Sequence, residues 1–174
     1  TAPSDRDKEE GEKGNEDKEV VRRCVDAVTE FLKSKKKESS ATLIDPLRAL
    51  AVACKDSLSN KALGAKVGAV THLLSLITHA LDNREPEALI DASAEALTML
   101  CVKSPPNRAQ FYQFDLGPKV LMRVPTHAPK SRTVQRAGMR AVRAACTKHA
   151  DTTASMAKKG LLKVFMKKKI GTQD

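Results

Sequence analysis

Apolar residues recur every three or four positions along most of this 174-residue chain. The first run is Val20, Val21, Cys24, Val28, Phe31 and Leu32, and its spacing predicts a helix over about 18–34. "KSKKKESS" ends that helix as a solvated loop. A second helix is expected from about Leu43 to Lys55, with Pro46 in the first turn, where a missing N–H costs little. The stretch 1–17 is almost free of apolar side chains and reads as a disordered or linker leader.

From Asn60 onward the pattern repeats. "NKALGAKVGAVTHLLSLI", "NRAQFYQFDLGPKVLMRV" and "TTASMAKKGLLKVFMKK" each give a short helical piece, a glycine (68, 117, 160) and an apolar helix. The segments before them are also alike: "LIDPLRALAVAC", "LIDASAEALTMLC" and "VQRAGMRAVRAAC" end in Cys54, Cys101 and Cys146. The cysteines are 47 and 45 residues apart. A period in the mid-forties with three helices per unit points to a helical solenoid, because one such unit cannot bury its apolar face alone. Glycine at each bend is expected to let the chain turn sharply into the second helix. "SPPN" and "THAPKS" punctuate the units, since proline disfavours helix at the residue before it.

The Asn–Lys/Arg start, the mid-unit glycine and the "AL..LC" third helix resemble the armadillo repeat over about residues 41–170. The core from Gly138 to His149, "GMRAVRAACTKH", is similar to a single unit within the armadillo repeat-containing proteins. The resemblance implies an all-α, right-handed armadillo/HEAT-like α-solenoid of about three to four repeats. Its units fall near 18–57, 58–102, 105–149 and, in part, 151–170, followed by a short tail at 171–174. It also implies that the chain is an internal portion of a longer solenoid, which agrees with a Thr at position 1. Armadillo proteins that carry basic import signals use Trp and Asn ladders on their third helices. This chain has no Trp, so that mode of binding is not expected.

Charge adds a second layer. The sequence carries a net +10, but residues 1–40 hold −1, residues 41–101 hold −2, and residues 102–174 hold +13. The cationic last third favours anionic partners. Within it Arg132, Arg136, Arg140 and Arg143 recur at steps of four, four and three, which stacks them on one helix face. In an armadillo arrangement that face borders the concave groove. Aligning the units by their cysteines sets Arg132, Arg136 and Arg140 opposite Glu87, Asp91 and Glu95, with Arg48 also opposite Glu95. Two readings stay open. The row pairs with the acidic stripe of the preceding unit, or it meets an external acidic ligand, for which Arg143, aligned with Thr98, is the freest candidate. A second basic cluster, Lys158, Lys159, Lys163, Lys167, Lys168 and Lys169, reads as a solvated face or, alternatively, as a nuclear-localisation or nucleic-acid element.

Catalytic chemistry is not in evidence. There is no phosphate-cradling glycine loop, no paired carboxylates at catalytic spacing and no metal-ligand cluster, so neither an enzyme nor a cofactor is expected. His72 and His79 share a helix face, and no Cys or acid joins them at ligand spacing. The four dispersed cysteines, each within an apolar pattern, read as reduced thiols of a cytoplasmic or nuclear protein. No apolar run reaches the ~20 residues of a membrane span. The expected function is a non-catalytic scaffold that binds a protein segment, acidic or extended, in its groove. The alternative is nucleic-acid binding through the basic last third.

Overall fold

The computed structural model describes residues 5–34, 39–113, 116–127, 130–147, 150–158 and 160. They form nine α-helices and one 3-10 turn, with no strand among the described residues. In chain order these are α1 (Asp5–Lys33), the turn Ser40–Leu43, α2 (Ile44–Cys54), α3 (Leu58–Lys66), α4 (Ala69–Asn83), α5 (Glu87–Cys101), α6 (Pro105–Tyr112), α7 (Leu116–His127), α8 (Arg132–Cys146) and α9 (Ala150–Lys158). The helices stack as an all-α solenoid.

The stacking has three layers. α5 lies between α2 and α8; α4 lies between α1 and α7; α6 lies between α3 and α9. Within the α3/α6 layer, Asn107 reaches the carbonyl of Lys61 and Gln110 reaches that of Ala65, offsets of 46 and 45 residues. Two contacts advancing together fix the helices as parallel and displaced by one repeat. α1 occupies the place that α4 and α7 hold in the later units.

Composition follows position. α5, flanked on both sides, buries ten of its fifteen residues, among them Leu89, Ile90, Leu97 and Leu100 with Ala92, Ala94 and Ala96 between them. A helix apolar nearly all round is one that neighbours cover. The small residues let the adjacent helices approach. One continuous core runs from Val21 on α1 through Leu74 and Ile77 on α4 to Val142 and Ala145 on α8.

Two features differ from the sequence reading. α1 begins at Asp5 rather than near residue 18, so helix runs through most of the polar leader. Its Glu and Lys residues are good helix formers. The three unit glycines also differ among themselves. Gly68 and Gly160 are left-handed, with φ of 70° and 73°, and bend the chain as expected. Gly117 lies inside the first turn of α7 instead. A Cβ there would sit 2.5 Å from the Phe111 carbonyl oxygen and 2.6 Å from its ring. Gly117 is small because α6 and α7 meet there, and no special backbone conformation is involved.

Candidate functional site

The third helices α2, α5 and α8 lie side by side and carry the charged positions singled out in the sequence. Counted back from the cysteine ending each helix, Arg48, Glu95 and Arg140 hold one position, and Ile44, Asp91 and Arg136 the position one turn earlier. Arg48, Arg132, Arg136, Arg140, Arg143 and Glu87 are exposed, and Asp91 and Glu95 are half-buried. Each seam forms a shallow groove. Arg48, Lys55, Val52, Glu95 and Met99 line the α2/α5 seam. Thr98, Val102, Arg140, Arg143, Ala144 and Thr147 line the α5/α8 seam.

The register-matched ion pairs do not form. Among the described residues, the ion pairs are Arg23–Glu19, His79–Glu85 and Arg123–Asp82, and none joins the arginine row to Glu87, Asp91 or Glu95. The charges act diagonally instead. Burial pushes the Asp91 carboxyl above its ordinary range; Arg140 and Arg48, from the two flanking helices, pull it back, and Glu95 adds to the rise. Arg48 was expected to face Glu95, and it does share a groove with it, but its resolved electrostatic effect falls on Asp91. Asp91 Oδ1 is buried and accepts no hydrogen bond within the described chain. The electrostatic partner on α5 thus lies one turn before the residue that equal spacing from the cysteines selects.

Arg143 is a special case. Its counterparts Thr98 and Ala51 are buried, as are Ala94 and Leu47, the counterparts of Met139, and Ile90 and Leu43, those of Gln135. Gln135, Arg136, Met139, Arg140 and Arg143 line a concavity on α8, and Met139 is 41% exposed. Positions buried by a neighbouring helix in the earlier units are thus open on α8. Arg140 and Arg143 line both this concavity and the α5/α8 groove, and Arg136 lines the concavity.

Sequence reasoning missed a polar layer beneath the groove. Asn60 Nδ2 donates to the Ala53 carbonyl at 2.7 Å, and Asn107 Nδ2 to that of Leu100 at 3.0 Å, each seven residues back. Both satisfy a carbonyl in the last turn of a third helix, where the helix itself supplies no donor. Asn107 also donates to Lys61 O at 2.9 Å and to Ser104 Oγ at 2.9 Å. Thr153 Oγ1 donates to the Cys146 carbonyl, again seven residues back. The residue after each of the two asparagines is a cation. Lys61 Nζ donates to the Lys55 carbonyl at 3.0 Å, and Arg108 Nη1 to that of Thr147, at the C-terminal ends of α2 and α8 where the helix dipole favours positive charge. The recurring Asn–Lys/Arg, six and seven residues after Cys54 and Cys101, was the available signal. Reading it as a cap required knowing that the chain doubles back there.

His72 Nδ1 bonds the Gly68 carbonyl; His79 packs edge-on against Phe31 and faces Glu85, which also accepts a hydrogen bond from Ser40 Oγ at 2.6 Å. No group of three metal-ligating side chains occurs among the described residues. Cys24, Cys54 and Cys101 are buried free thiols, pushed up to about 12 chiefly by desolvation. Lys158 is exposed at the end of α9; Lys159, Lys163, Lys167, Lys168 and Lys169 lie outside the described residues. No helix among the described residues is long and apolar enough to cross a membrane.

Comparison with known proteins gives one relative to set beside this geometry. The chain is similar to a Drosophila melanogaster protein named Armadillo repeat-containing protein 6 homolog, with 32% identity over 87 residues. That match covers 49% of this chain and 18% of the fly protein, so the chain spans less than a fifth of the relative it matches. No protein-family model matches the chain. No solved structure matches it either. The similarity supports kinship with armadillo-repeat proteins, in agreement with the solenoid.

Proposed function

We propose that this chain is a non-catalytic interaction scaffold, part of an armadillo-type solenoid related to armadillo repeat-containing protein 6, and that its concave face holds an extended protein segment. One observation carries the reading. The exposed arginines of α8, Arg140 and Arg143, line the α5/α8 groove and form no ion pair among the described residues. A structural charge row would be expected to find its acids within the stack; this one leaves its guanidinium groups to solvent or to a ligand. Its reduced, buried cysteines suit the cytoplasm or nucleus.

A capture experiment tests this. The wild-type chain and an Arg136→Glu, Arg140→Glu, Arg143→Glu variant, matched in helical circular dichroism and melting, are used as baits with nuclease present. A protein partner retained by the wild type and lost by the variant supports the groove. Equal capture by both places binding elsewhere. The net +13 of residues 102–174 favours a second reading, nucleic-acid binding. That reading predicts capture abolished by nuclease and a steep fall in affinity with salt.

A further inference from the structure

The three groove helices differ in charge, and the difference alternates. α2 and its C-terminal end offer Arg48 and Lys55, α5 offers Glu95, and α8 offers Arg140 and Arg143, all lining the grooves between these helices. Positive, negative and positive stations thus lie across the groove, and none is neutralised at ion-pair distance within the described chain. One turn before Glu95, Asp91 Oδ1 is a buried acceptor without a hydrogen-bond donor among the described residues. Buried acceptors ordinarily find one.

Packed helices are about 8–10 Å apart, and an extended chain advances about 3.3 Å per residue. A peptide crossing the three helices therefore meets a new station about every third residue. Resting on the groove reading above, we propose that this face selects an extended peptide with acidic, basic and acidic side chains about three residues apart. The outer carboxylates meet the cations of α2 and α8, and the central cation meets Glu95, with the negative charge of Asp91 adding attraction from one turn away. Val52, 75% exposed, and Met99 supply apolar contact for the stem of that central side chain. A uniformly acidic peptide would gain at both outer stations and be repelled at the middle one. The alternation is therefore a filter against the general acidic ligands that the basic last third would otherwise attract.

The test uses dye-labelled heptapeptides and the 174-residue chain, with fluorescence anisotropy at about 0.01–0.1 M salt, where exposed charges are only partly screened. The first probe is Glu-Gly-Ser-Lys-Gly-Ser-Glu. The others are Glu-Gly-Ser-Glu-Gly-Ser-Glu and the isomer Glu-Glu-Lys-Gly-Ser-Gly-Ser. The alternating peptide is expected to bind about tenfold more tightly than either. Glu95→Lys, at a half-buried site, should reverse the order in favour of the all-acidic peptide, and Glu95→Gln should level the two. If the all-acidic peptide or the isomer binds wild type as well as the alternating one does, the charge code is wrong while the groove still binds peptide. If no peptide binds above background, the groove reading falls with it. If a single-stranded oligonucleotide displaces all three equally, the surface is an unselective anion site and the proposal is overturned.

Discussion

The unit α3–α5 and the unit α6–α8 place the same residue types at the same points and use them differently. Gly68 bends the chain through a left-handed φ; Gly117 admits the Phe111 ring. Asn60 caps one carbonyl, but Asn107 holds three acceptors and ties α6 to α3. Lys61 caps α2, which precedes it, while Arg108 reaches the end of α8 in its own unit. A repeat in sequence therefore specifies a place in the stack and a residue size or polarity. The physical task at that place is set by the neighbours.

The sharpest way to break the comparison is to substitute alanine at both glycines. At Gly117 the new methyl meets backbone and a fully buried ring, neither of which can move freely, and a loss of about 3 kcal/mol is expected. At Gly68 space is available, since the nearest atoms are those of His72 at 3.6–3.7 Å, and the cost is the left-handed backbone alone, about 1–2 kcal/mol. Urea titration of the two variants measures both. Equal losses would mean that Gly117 is also a backbone device.

A smaller contrast is expected at the asparagines. Asn107→Ala removes two N–H donors shared among three acceptors and leaves the Lys61 and Leu100 carbonyls short, at about 1 kcal/mol or more each, so a loss of about 2–3 kcal/mol is expected. Asn60→Ala leaves one carbonyl short, about 1 kcal/mol. Melting points should fall by about 2–4 °C per kcal/mol in a chain of this size. If Asn60→Ala costs as much as Asn107→Ala, the inter-unit bond to Lys61 adds nothing.

These contrasts show how far the sequence could be read. Period, helix count and the stacking of units were legible because they rest on apolar spacing, which one chain displays in full. The alternative uses of Gly68 and Gly117 were not, because the deciding atoms, the Phe111 ring and carbonyl, are set by packing. The arginine row on α8 was legible as a row. Its partners were not, because counting residues from a cysteine fixes sequence position and leaves out side-chain reach and burial. Arg140 acts on Asp91, one turn before its aligned residue Glu95.

The diagonal attraction between Arg140 and Asp91 is the finest test of the comparison, since it joins a residue of each unit. A double-mutant cycle on Arg140→Ala and Asp91→Asn should give a coupling of about 0.5 kcal/mol, against no measurable coupling for Arg136→Ala with Asp91→Asn. Asp91→Asn also carries a pH signature. Because burial raises the carboxyl above its ordinary range, the folded chain binds this proton more readily than the unfolded chain. The site therefore costs stability at neutral pH, and that cost fades as pH falls through the raised value to the ordinary carboxylate range near about 4. Asp91→Asn removes the charge, so it should melt slightly above wild type at pH 7, by about 1–2 °C, and lose that advantage by about pH 4. A variant less stable than wild type at pH 7 would mean that attraction from Arg140 and Arg48 outweighs desolvation. The middle station of the groove would then be held by its own flanking arginines and closed to a ligand's cation.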